Sequence, residues 1–151
     1  MKTATLIVCE RNGAWAAAWR QSWSRRAEQR ASPLPDVRCL ETRSGAECLE
    51  RLADAPAAVV LVELTAASSE RSLSLLSQIA LCSRQALAVV AAERQFAPYE
   101  WTIRELGAVH FLVSPRELPA LCGLVERHAA RAPEIELELE DGIWAELPWG
   151  E

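Results

Sequence analysis

Apolar runs and helical stripes alternate five times along the chain. Short runs of branched and apolar residues predict strands at Thr5–Cys9, Val37–Glu41, Ala58–Leu64, Ala86–Ala91 and Ala108–Val113. The segments that follow them predict helices over Ala14–Gln29, Gly45–Ala53, Arg71–Ser83, Pro98–Leu106 and Pro115–Arg131. Leu49 and Leu52 form the apolar face of the second helix, and Leu73, Leu76, Ile79 and Ala80 that of the third. Val59-Val60-Leu61-Val62 and Leu87-Ala88-Val89-Val90 are apolar without interruption, as strands covered on both faces are. Ser32-Pro33-Leu34-Pro35 separates the first helix from the second strand. Repeated strand–helix units with right-handed crossovers predict an α/β fold with a doubly wound, five-stranded parallel sheet in the order 2-1-3-4-5. Ligands in such a sheet sit at the carboxyl ends of the strands, near the switch point between strands one and three.

The pattern changes after the fifth helix. Glu134-Ile-Glu-Leu-Glu-Leu-Glu140 alternates strictly, which predicts a strand with one wet face. Asp141-Gly142 then turns the chain towards a segment holding Trp144 and Trp149. The chain therefore divides into one domain over 1–132 and an acidic, Trp-containing tail over 133–151. A loose acidic tail rarely carries two tryptophans and regular alternation, so this strand-forming tail is expected to dock on its own domain or on a partner.

Composition sharpens the picture. Half of the 151 residues are hydrophobic, enough for one sizeable core. Seven of the 21 acidic residues and none of the 16 basic ones fall in 134–151, so the net charge of −5 is mostly the tail's. A near-neutral body without a basic stripe argues against nucleic acid. Arg20, Arg25, Arg26 and Arg30 are expected on the solvated face of the first helix. No apolar run is long enough to span a membrane, and the first residues do not read as a signal peptide. The five cysteines are scattered singly, which indicates neither a disulfide framework nor a zinc site; a cytoplasmic protein is the expected reading.

Gly107-Ala-Val-His-Phe-Leu-Val-Ser-Pro115 resembles the fifth strand of bacterial response-regulator receivers, roughly Gly-Ala-x-x-Phe/Tyr-Leu-x-Lys-Pro, with Ser114 at the lysine position. Arg43–Leu52 is similar to the receiver second helix, Ala57–Leu64 to the third strand, and Trp101–Ala108 to the fourth helix and the entry to strand five. From Leu6 to about Arg131 the chain thus resembles a CheY-like, flavodoxin-like receiver. That resemblance implies a phosphoryl pocket whose chemistry is gone. The acidic pair becomes Cys9-Glu10, the phosphoacceptor Glu63, the strand-four hydroxyl Ala91 and the lysine Ser114, followed by Pro115. Without the metal-binding pair and the ammonium, little remains to stabilise a transferring phosphoryl group. Lys2, the single lysine, lies before strand one and cannot substitute. The resemblance also implies a cis bond at Ser114–Pro115, since X–Pro is where cis is cheap.

Each remaining group has two readings. Glu63 is either a built-in phosphoryl mimic or a polar residue left at a strand end. Glu10 and Glu63 are weak metal candidates, since hard cations prefer carboxylates, but two are few; no cofactor is indicated. Cys9 reads as a small buried apolar residue, because His110 falls too early in its strand to pair with it. His128 is expected partly charged near a helix C-terminus. Trp15, Trp19 and Trp23 share one stripe of the first helix, either packed in the core or part-exposed for a partner; with Trp144 and Trp149 they are the partner-binding candidates. The expected function is a stand-alone, phosphorylation-independent pseudo-receiver, not an enzyme, that binds a protein or its own copy. Receivers commonly associate through the face of helix four, strand five and helix five, here about Pro98 to Arg131. The alternatives are a small enzyme or ligand-binding protein reusing Cys9, Glu10, Glu63 and Ser114, and an assembly subunit linked through its tail.

Overall fold

The computed structural model describes residues 3–55 and 57–131. Five parallel strands, β1 (Thr3–Cys9), β2 (Asp36–Thr42), β3 (Ala58–Leu64), β4 (Leu87–Ala92) and β5 (Ala108–Leu112), form one sheet in the order β2-β1-β3-β4-β5. The doubly wound order expected from the pattern is the one observed. The helices are α1 (Ala14–Glu28), α2 (Gly45–Ala53), α3 (Ser69–Cys82), α4 (Glu100–Glu105) and α5 (Leu118–Arg131). The fourth helix is shorter than expected. Arg94–Tyr99 winds as a 3-10 segment first, because Pro98 lacks the N–H that an α-helix would use there. Among the described residues no helix is long and apolar enough to cross a membrane.

Alternation along the strands divides the core between the two sheet faces. Ile7, Val60, Val62 and Val90 pack with Cys48, Leu52, Leu75, Leu76 and Ile79 under α2 and α3, while Ile103 and Phe111 extend this cluster towards β5. Leu6, Val8, Val59, Leu61 and Val89 pack with Trp19, Leu121 and Val125 under α1 and α5. In β3 only Glu63 escapes full burial, which places it at the open end of the central strand.

The tryptophan stripe of α1 points into this core. Trp19 is 2% exposed and stacks on Trp23 with centroids 5.2 Å apart, so it has no surface to offer a partner. Trp15 and Trp23 are half-buried against the same cluster. Nor is the arginine face of α1 merely solvated. Arg26 and Arg30 both pair with Glu126 of α5, and Arg20 with Glu41 of β2. His128 also differs from expectation. Burial lowers its pKa from the usual histidine value, with the backbone at Ala58 opposing the shift and Arg131 adding to it. The tail, with its expected strand, Trp144 and Trp149, lies outside the described residues.

Candidate functional site

Three strand ends converge at the switch point. β1 ends at Cys9, β2 at Thr42 directly beside it in register, and β3 carries Glu63 one residue before its end. Helices α2 and α3 rise from loops beyond these ends. Ser44 caps α2 by accepting from Glu47 N at 3.2 Å, and Glu47 returns the bond to Arg43 N at 3.1 Å. Between these elements lies an open cleft of about 1030 Å³, with Cys9, Glu10, Arg43, Glu63, Ser68 and Arg71 on its walls. Of the degenerate pocket positions, Cys9, Glu10 and Glu63 line this cleft, whereas Ala91, Ser114 and Pro115 do not. The cleft lies towards α2 and α3.

Glu10 shows why a metal is a poor fit. It is 4% exposed, and its two carboxylate oxygens accept from Trp15 N and Ala16 N, each at 2.8 Å. Those are orphan donors of the first turn of α1, where a negative charge is favoured. Gly13, at the N-cap position with φ 83°, has no side chain to do this work, and Asn12 Oδ1 takes the remaining N–H, from Ala14. A side chain at Gly13 would also meet Glu41 Oε1 at 3.0 Å. Glu10 is a helix cap, not a ligand. Glu63 accepts from Arg11 N at 3.2 Å, and its register neighbour on β4 is Ala91, 1% exposed and without a hydroxyl. Among the described residues no three metal-ligating side chains cluster.

The β5 end is closed by its own hydrogen bonds. Glu117 Oε2 accepts from Val113 N at 2.8 Å and from Ser114 N at 3.1 Å, and Ser114 Oγ accepts from Arg116 N. This is a capping box that holds Ser114 extended and lets Pro115 open a 3-10 turn at its first helical position. The expected cis bond is absent; no described peptide is cis. With the Ser114 side chain turned to the helix end, the turn is satisfied in trans.

Cys9 packs against the α2–α3 core cluster, as a small apolar residue would, but is not fully buried. It is half-buried on the cleft wall, and the Cys48 thiol of α2 hydrogen-bonds to it from full burial behind. That bond lowers the Cys9 pKa from 9.0 to about 7; burial, Glu47 and Glu63 oppose the shift, and a Thr42 hydrogen bond aids it. Cys48, the donor, is pushed far above the usual thiol range by the same bond and by its burial. His110, on β5 opposite Val89, lies apart from Cys9, as expected. Sequence reading missed Cys48 and Thr42, which lie far along the chain from Cys9. Their signal was present only in hindsight, as a cysteine on the buried face of α2 and a threonine ending β2.

A second feature lies at the β5 edge. Trp101 is 74% exposed and Tyr99 59%, with Leu106 and Val109 partly exposed beside them in sequence. Trp101 Nε1 donates to Glu105 Oε1 at 2.8 Å, one helical turn on, which holds the ring in place on the surface.

No family model matches the sequence. No curated protein matches it either. Solved structures do. A response regulator from Thermotoga maritima superposes with a TM-score of 0.66 at 16% identity, covering 85% of this chain and 98% of that one. The chain has the fold of a CheY-like receiver. A CheY-like protein, TadZ, from Pseudomonas aeruginosa PAO1 matches with a TM-score of 0.65 at 14% identity, over 87% and 98% of the two chains. The receiver domain of AraT, a response regulator from Geobacillus stearothermophilus, matches at 0.61 and 17% identity, over 93% and 99%.

Proposed function

We propose that the protein is a phosphorylation-independent pseudo-receiver, without enzymatic output, that acts by binding a protein partner through the face around α4 and β5. The observation that carries this reading is Trp101, a large aromatic side chain held out in solvent beside Tyr99. Exposed aromatics of this kind are typical anchors of protein interfaces. Support for phosphorylation independence comes from the pocket: Glu10 is committed to capping α1, Ala91 is buried, and Ser114 is committed to its own turn. Residues 133–151 form a second unit in this reading, an acidic arm that docks on the same domain or on the partner.

The test places a photo-crosslinking residue at position 101 of the full chain in cells, with position 38 on the opposite edge strand as control. A dominant adduct from position 101 alone, either to one other protein or to a second copy, supports the reading. The absence of any adduct at 101 overturns it. In parallel, a small-molecule phosphodonor with Mg²⁺ should leave the mass unchanged. A stable single-phosphoryl adduct lost in Glu63→Ala would overturn phosphorylation independence. Comparing sedimentation with and without residues 134–151 separates binding by the body from assembly through the tail.

A further inference from the structure

We propose that Cys9 and Cys48 form a hydroperoxide-reactive dithiol, in which Cys9 is oxidised at the cleft and Cys48 resolves it to a reversible disulfide. The geometry assigns the two roles. Cys9 ends β1 on the wall of the open cleft, where a small oxidant reaches it. Cys48 sits on α2 with no exposed surface, in the same core cluster against which Cys9 packs, and the two side chains are close enough to shift each other's proton affinity. A reagent from solvent meets Cys9, on the cleft wall, before the fully buried Cys48. No other described cysteine has a cysteine beside it. Cys122 bonds to Ser22 Oγ at 3.6 Å, and Cys82 lies exposed at the end of α3.

The chemistry balances with a hydroperoxide as the oxidant. The Cys9 thiolate attacks the terminal oxygen; an S–O bond forms, the O–O bond breaks, and the remaining oxygen leaves with the proton lost from Cys9, as an alcohol or, from hydrogen peroxide, as water. The Cys48 sulfur then attacks Cys9 Sγ. The S–S bond forms, the S–O bond breaks, and the sulfenic oxygen departs as water with the Cys48 proton. Two thiols are oxidised and one peroxide is reduced. The lowered proton affinity of Cys9 supports the first step, because the thiolate is the nucleophile. The resulting bond would pin α2 to the end of β1 at the switch point. This inference does not depend on the interaction reading above; it concerns thiols that take no part in the α4–β5 surface, and its readout is covalent.

The experiment treats the full-length protein with hydrogen peroxide at neutral pH, blocks remaining thiols with N-ethylmaleimide, and maps peptides without reduction. The expected product is a cross-linked pair of peptides carrying Cys9 and Cys48, abolished by dithiothreitol, with Cys39 and Cys122 still alkylated. Cys9 should be consumed at least about fivefold faster than exposed Cys82, the expectation for a thiol with a substantial thiolate fraction at neutral pH. In Cys48→Ser, dimedone should trap a sulfenic acid on Cys9. In Cys9→Ser the cross-link should be lost. The wild-type map decides the matter even if a variant fails to fold. Oxidation confined to Cys82, or Cys9 oxidised while Cys48 remains alkylatable, would overturn the proposal.

Discussion

At the carboxyl ends of β1 and β3 the protein opens into a cleft that brings a thiol, carboxylates and guanidinium groups together; at the ends of β4 and β5 it is shut. Ala91 is buried there, and Ser114 and Glu117 satisfy one another's turn. In a phosphorylatable receiver both halves must act on one group, since charge on a transferring phosphoryl has to be offset from several sides. Here the β4–β5 half is engaged in its own turn, through Ser114 and Glu117. In the β1–β3 half Glu10 caps α1 from the cleft wall, beside Cys9 and Glu63 on the same wall.

That contrast can be broken at four points. The largest effect is expected on Cys9. Its thiol should titrate near 7, so alkylation by iodoacetamide rises through that pH and falls as the thiolate is protonated below it. Removing the Cys48 hydrogen bond in Cys48→Ala leaves burial, Glu47 and Glu63, all of which raise the pKa, against Thr42 alone. The midpoint should then move upward. A midpoint unchanged in that variant would show that Cys48 does not control the site.

Glu10→Ala comes next. It strips two N–H groups of α1 of their charged acceptor and should lower the unfolding free energy by about 2 kcal/mol in urea titration. Glu10→Gln should recover part of the loss, because one oxygen remains to accept. On the closed side, Ser114→Ala removes the cap of a three-residue 3-10 turn and should cost about 1 kcal/mol. Glu63→Ala should be the mildest, within about 0.5 kcal/mol, because its carboxylate is partly exposed and accepts a single backbone bond. If Glu63→Ala proved as damaging as Glu10→Ala, the division of labour between the two carboxylates would be wrong.

The strands, the order of elements and the parallel sheet were legible in the sequence, because periodicities of two and 3.6 residues are local and burial on both faces leaves an uninterrupted apolar run. The residue types at the strand ends, Cys9, Glu10, Glu63, Ala91 and Ser114, were legible too. What those groups do was decided only by packing across long separations. Glu10 is a cap because α1 begins with a glycine that cannot cap it, and Cys9 is activated because α2 folds back over β1 and sets Cys48 behind it. The same holds for the aromatics. Spacing places Trp15, Trp19 and Trp23 on one stripe, but it is α1 packing over the sheet beside α5 that turns Trp19 inward, and it is the short α4 at the sheet edge that leaves Trp101 in solvent. Helical phase tells which residues share a face. Only the neighbouring element determines whether that face is core or surface.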